Sequence, residues 1–269
     1  GLDLGAVEYI TKPMRPSIEL ARVHAQLELK RARDWLRNQN VFLETEVARR
    51  MAENQLIQDI SIHALARLAE TRDAETGNHL RRTREYMRTL ALKLRNHPRF
   101  ASFLTDRNVQ LLAKSAPLHD IGKVGIPDHI LLKPGRRSPE EWEIMKTHTR
   151  LGSEAIEQAE RDAERPVEFL TLAKEIACYH HERWNGGGYP EGLVGDAIPI
   201  SARLMALADV FDALISRRAY KPPMSHGQAR DIIAAERGRH FDPDMVDAFL
   251  AHFDEFRAIA ERYGDHDEA

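Results

Sequence analysis

The chain has 269 residues, with 39 Lys+Arg against 42 Asp+Glu, a formal charge of −3 and a pI near 6.5. That balance excludes a globally basic nucleic-acid coat, so any anionic ligand must be met by a local site. Charged residues at 30% and hydrophobic ones at 42% suit a folded globular chain. No apolar run approaches the roughly 20 residues that span a bilayer, and a single cysteine points to a reducing cytoplasm.

Gly1 to Ile10 reads as a helix end, a glycine turn and a short strand, broken by Thr11-Lys12-Pro13, and Pro16-Ser17 opens a helix. This stretch resembles the last strand and helix of a response-regulator receiver domain, with Lys12-Pro13 matching that family's lysine-proline pair. The resemblance implies a receiver remnant over 1–28, a phosphoacceptor aspartate upstream and a chain that is a piece of a longer protein. From 17 to 60 there is neither Gly nor Pro, and Ala, Leu, Glu, Arg and Gln dominate, which predicts one long helix. Leu29, Leu36, Leu43 and Ile57 follow a seven-residue spacing interrupted by Arg50. That seam predicts a coiled-coil linker over 29–59 joining two chains, the alternative being an amphipathic helix packed on its own domain.

Beyond residue 60 the pattern is helical throughout, with helices expected over 60–72, 78–96, 107–118, 139–147, 149–160, 167–181, 200–217, 226–237 and 243–263. Ser138-Pro139-Glu140-Glu141 is a helix start with Ser as cap and Pro first. The expected architecture is an all-α bundle over 60–263 behind a long N-terminal stalk helix, closed by a tail over 264–269.

The chemistry begins at His119-Asp120 in HDIGKVGIPD, where Gly122 releases a helix end. Imidazole nitrogen beside carboxylate oxygen suits iron, manganese or zinc. Further candidates are His148, His180-His181, Asp209 in ALADVFDAL, and Glu75 with His79 in ETGNH, four apart and so on one helical face. Asp209 stands among Ala206, Leu207, Ala208 and Val210, and a carboxylate in so apolar a setting needs a partner. Eight candidate ligands exceed what one ion needs and fit two or three. Arg81, Arg84 and Arg88 form a basic stripe that reads as a solvated helix face rather than a DNA site.

These motifs, with HHERWNGGGYP at 180–190, resemble in order those of the HD-GYP family, metal-dependent phosphohydrolases of the HD superfamily. The resemblance runs from about residue 60 to 255. It implies a cytoplasmic phosphodiesterase that hydrolyses cyclic di-GMP to linear pGpG or on to GMP, as the output domain of a two-component response regulator. Carried over by position, Glu75, His79, His119, Asp120, His148, His180, His181 and Asp209 would hold two or three divalent ions, iron first and manganese next, with Asp120 bridging. Lys123 would take up charge at the scissile phosphate, which makes Asp120 and Lys123 the catalytic pair. Asp73, Tyr189, Asp212, Arg218 and Lys221 would join Lys123 in binding substrate, Asp73 and Asp212 at guanine edges. The family usually has Asp where this chain has Asn185. Implied partners are a second copy through the stalk, a GGDEF-type cyclase at the Tyr189 loop and a sensor kinase for the receiver, with no DNA and no membrane. The rival readings are a non-catalytic metal and dinucleotide sensor, and a hydrolase of another cyclic dinucleotide.

Overall fold

The computed structural model describes residues 13, 15–72, 78–162, 167–216 and 222–264. The expected receiver strand, and with it Asp73, Glu75, Arg218 and Lys221, lies outside the described residues. The chain divides into two compact units, Gly1–Gln58 and Asp59–Ala269. The described residues are helical without a strand, and their β pairing is limited to two isolated bridges, Asn185 with Val194 and Arg237 with Phe241.

Helix α1 runs over Pro16–Glu70, so the two helices expected over 17–60 and 60–72 are one. Nothing between them breaks the ladder, since Asp59 to Ala69 contains no Gly, Pro or Asn. Within the first unit, surface pairs such as Glu46 with Arg49 and Arg50, each at 2.8 Å, add modest i,i+3 and i,i+4 support. Leu29, Leu36, Leu43 and Ile57 are all exposed. No helix among the described residues is long and apolar enough to cross a membrane.

In the second unit, α2 (His79–Leu94), α3 (Asp106–Ser115), the short α4 (Asp128–Leu131), α5 (Pro139–Lys146), α6 (His148–Asp162), α7 (Glu168–Tyr179), α8 (Ile200–Ile215), α9 (His226–Ala235), α10 (Pro243–Ala251) and α11 (Phe253–Arg262) follow in order. Their centre is α8, whose Ala202 to Ala208 are all buried, as expected of a helix that is apolar nearly all round. Tyr86, Leu90, Phe211, Phe249 and Phe256 fill the main core, with Tyr86 edge-on to Phe211 at 5.1 Å. Leu80, Leu118, Ile156, Ala173 and Ala177 form a second cluster with Ala66 of α1.

Two boundaries differ from expectation in ways that matter. The helix expected over 107–118 stops at Ser115 and tightens into a 3-10 turn at Ala116–Leu118, because Pro117 has no N–H for the α ladder. The helix expected over 243–263 is two, since His252 leaves helical backbone at φ −120° and ψ 22°.

Candidate metal centre

The Pro117 turn brings His119 and Asp120 out side by side, and a second 3-10 turn at Ile121–Gly125 follows. Gly122 sits where a Cβ would lie 1.9 Å from the His148 carbonyl oxygen and 2.4 Å from the Gly152 nitrogen. Only glycine allows that approach, so the backbone of the His-Asp segment lies directly on the start of α6, which carries His148. His180 and His181 follow the end of α7, His79 opens α2, and Asp209 lies on α8.

Three of the histidines are set by the helical turn that immediately precedes them. The Nδ1–H groups of His119, His148 and His180 donate to the carbonyls of Ala116, Met145 and Ile176 at 2.9, 2.7 and 2.9 Å. That tautomer leaves each Nε2 a bare lone pair, and all three face Asp120. His148 and His180 stand 3.3 and 3.6 Å from Asp120 Oδ1, whereas His119 stands 3.3 Å from Oδ2. Lys123 is 8% exposed, and its Nζ lies 2.7 Å from Oδ2.

Donor atoms of Asp120, His148, His180 and His181 lie within 4.8 Å of one another, and so do those of His79, His119 and Asp209. The two groups adjoin through His119. His79 Nε2 is 3.4 Å from His119 Nε2, and the two nitrogens are 3.8 and 3.9 Å from Asp209 Oδ1. Every expected ligand among the described residues therefore belongs to one of the two groups.

The donor set fits divalent metal. Asp120 Oδ1, His148 Nε2 and His180 Nε2 are buried and have no hydrogen-bond partner among the described residues. Each such atom costs about 1–3 kcal/mol when left unsatisfied. Here they converge on one point, where a cation would satisfy all three, and mixed N and O donors suit iron, manganese or zinc.

The electrostatics agree. Burial raises the Asp120 pKa, but Lys123 and His119 outweigh it and hold the carboxyl well below its usual range. Burial also opposes charging of His119, yet Asp120 and Asp209 win and raise its pKa. Burial lowers the pKa of His180 and, with His180 and His148 nearby, of His181 further, so both rings are held neutral.

Asp212 corrects the expectation of a substrate contact. Its side chain is 0% exposed and faces inward. It accepts from His79 Nδ1 at 2.8 Å, from Arg82 Nε at 2.6 Å and Nη2 at 3.0 Å, and from Ser216 Oγ at 3.1 Å. Burial raises its pKa, but the bonds from His79 and Arg82 prevail and keep it ionised. Asp212 thus orients the imidazole of His79 instead of meeting a base. Arg82 escapes a reading of the sequence: the faint signal is that Arg82 follows His79, and Asp212 follows Asp209, by three residues.

The glycine loop is bound to the centre by Glu182. Its buried carboxylate accepts from the backbone N–H groups of Glu191, Gly192 and Leu193 at 2.8, 3.1 and 3.0 Å. Tyr189 is thereby laid on His181, ring centroids 4.8 Å apart and 27° from parallel. Asn185 Oδ1 accepts from Gly187 N–H at 3.0 Å, a bond for which amide and carboxylate oxygen serve alike.

A family profile described as HD domain matches residues 63–245. A Vibrio cholerae protein named a probable cyclic di-GMP phosphodiesterase is 52% identical over 269 residues, which are 100% of this chain and 61% of that one. Another Vibrio cholerae protein, named a 3′3′-cGAMP-specific phosphodiesterase, is 43% identical over 198 residues, covering 74% of this chain and 35% of that one. A crystal structure of a cyclic GMP-AMP specific phosphodiesterase of Vibrio cholerae shares the fold, with a TM-score of 0.53 and 18% identity over 77% of this chain and 53% of that one. The chain spans 61% and 35% of the lengths of the two relatives matched by sequence, less than two thirds of either.

Proposed function

Because the chain belongs to the HD-domain family, we propose that it is a metal-dependent phosphodiesterase whose substrate is cyclic di-GMP, hydrolysed to linear pGpG, to GMP, or to both. The observation that carries this reading is the convergence of unpartnered His148 Nε2, His180 Nε2 and Asp120 Oδ1 with the buried ammonium of Lys123 beside them. Divalent ions held there, iron foremost and manganese next, would supply Lewis acidity toward a phosphoryl oxygen and acidify water. His148, His180 and His181 would hold one ion and His79, His119 and Asp209 another, with Asp120 between; Glu75 would extend the set to a third.

In the reaction the oxygen of water bonds to phosphorus, the P–O3′ bond breaks, and the 3′ oxygen gains a proton. Lys123, whose Nζ lies 2.7 Å from Asp120 Oδ2, would offset charge growing on the phosphoryl oxygens. Buried walls around His79, His119, His148 and His180 lower the local dielectric and strengthen that contribution. Tyr189, Asp73, Arg218 and Lys221 complete the proposed substrate contacts. The naming of the 52% identical relative favours cyclic di-GMP. The 43% identical one supports 3′3′-cGAMP as a second reading.

The wider setting proposed is a cytoplasmic response regulator, governed by a sensor kinase through a receiver. Its two copies would be joined along the exposed Leu29, Leu36, Leu43 and Ile57 seam. A GGDEF-type cyclase is the partner proposed for the Tyr189 loop. Protein prepared without oxygen, with metals quantified and then assayed against cyclic di-GMP and 3′3′-cGAMP, tests the core of this reading. Bound metal and cyclic di-GMP turnover are expected, with 3′3′-cGAMP slower. Dinucleotide binding with full metal and no product would replace the enzyme by a sensor.

A further inference from the structure

We propose that Trp142 and Lys146 of α5 form a purine-nucleotide subsite beside the metal centre, the indole stacking on a base and the ammonium facing the phosphate not being cleaved. The inference rests on the phosphodiesterase reading and deepens it.

The register of α5 is fixed at its start. Ser138 Oγ accepts from Glu141 N–H at 3.3 Å, Glu141 accepts from Ser138 N–H at 2.7 Å, and Lys133 Nζ holds the two Glu141 oxygens at 2.8 and 2.6 Å. Trp142 and Lys146, four residues apart, therefore share one face, and His148 follows two residues later in the centre itself. The indole meets Tyr189 edge-on with ring centroids 6.2 Å apart, and Lys146 Nζ lies 5.8 Å over the same phenol. Tyr189 in turn lies on His181. An unbroken row of rings thus leads from solvent to the metal ligands.

Trp142 is 44% exposed although it is among the largest apolar side chains, so part of the indole is accessible to a ligand. Met145 of the same helix is buried with Ile126, Ile130 and Leu131 and seats α5 beside the centre. Lys146 pairs with Glu143 at 2.8 Å, but that glutamate side chain is 70% exposed, so the pair is weak and exchangeable for a phosphate. A cyclic dinucleotide carries two bases and two phosphates. Asp120 and Lys123 attend to one phosphate, and an aromatic face with a cation one turn apart matches the next base and phosphate.

The test uses the full metal-loaded chain as W142A, W142F and K146A. Steady-state kinetics are read with cyclic di-GMP and with methyl p-nitrophenyl phosphate, a diester lacking a purine, and metal content is measured for each. W142A and K146A are expected to raise KM for cyclic di-GMP about 10-fold or more, and W142F to recover most of the loss. The preference for cyclic di-GMP over the purine-free diester should narrow by the same factor, with metal content at the wild-type level. An unchanged KM, or equal losses on both substrates, would overturn the subsite. Wild-type protein that does not cleave cyclic di-GMP overturns the functional reading instead. The subsite is then decided by calorimetric binding of cyclic di-GMP, where equal affinity in wild type and W142A sinks it.

Discussion

His79 donates its Nδ1–H to Asp212 at 2.8 Å, and that carboxylate is itself gripped by two nitrogens of Arg82. The arrangement fixes both the tautomer and the direction of a histidine whose Nε2 belongs to the His79, His119 and Asp209 group. Replacing Asp212 with Asn keeps the shape but weakens both grips. Affinity for metal in that group should fall about 10- to 100-fold, with the Asp120 group much less affected. Chelator competition followed by metal counting per chain reads this, and full retention at both groups would refute it.

Gly122 should tolerate no side chain. In G122A the new Cβ would meet the His148 carbonyl at 1.9 Å, and relieving it must separate the His-Asp turn from α6. A loss of at least about 1–3 kcal/mol of stability is expected, together with loss of metal. Gly227, in α9 with open space around its Cβ position, is the control. G227A should gain about 0.4–1 kcal/mol, seen as a higher Tm.

Stripping metal should destabilise the second unit, because it leaves buried lone pairs at His148 and His180 unanswered. A ligand at 100 times its Kd contributes about 2.7 kcal/mol. For a unit of this size that corresponds to roughly 5–10 °C in Tm. Thermal unfolding with and without chelator measures it. A double H148A and H180A variant should show a clearly smaller response to chelator, the remainder coming from the His79, His119 and Asp209 group.

Acid should weaken the fold through His240 as well as through the metal. Burial, and then the charge of Arg183, lower the His240 pKa to about 4. The folded state therefore holds the neutral ring while the unfolded chain takes up a proton near pH 6.5. The stabilisation is complete above about pH 6.5 and is lost as pH falls toward 4. Since the residue is partly exposed, its size is on the order of 1–2 kcal/mol. Denaturant titrations from pH 7 to 4 on metal-free protein should show a shallower decline in H240Q than in wild type.

Glu182 should act as the clasp of the glycine loop. In E182A the N–H groups of Glu191, Gly192 and Leu193 lose their acceptor. Hydrogen exchange at those three amides should accelerate at least about 10-fold, since charge-assisted bonds are worth about 1.5–3 kcal/mol each. Unchanged protection would show that the loop is held elsewhere.

The helical character of the chain was legible in residue order, down to the Ser138 cap with its Pro139 start, because helix propensity and capping are local. The identities of His119, Asp120, His148, His180, His181 and Asp209 were legible too, since each sits in a motif whose order along the chain can be read. The helix expected over 107–118 ran through Pro117, and residue order did not show that a 3-10 turn there would present His119 and Asp120 together.

Asp209 and Asp212 separate what sequence determines from what tertiary structure decides. They stand one turn apart on α8 in similarly apolar surroundings; residue order makes Asp209 a candidate metal ligand, and Asp212 is given a substrate role only by the family resemblance. In the fold Asp209 turns toward His79 and His119, whereas Asp212 meets Arg82 from 130 residues away and closes over it. The sequence determined which side chains could bind metal, through types and local spacing. Only the packing of α2 against α8 decided which carboxylate reaches the centre and which holds its histidine, because a buried charge takes its role from the partner that the fold brings to it.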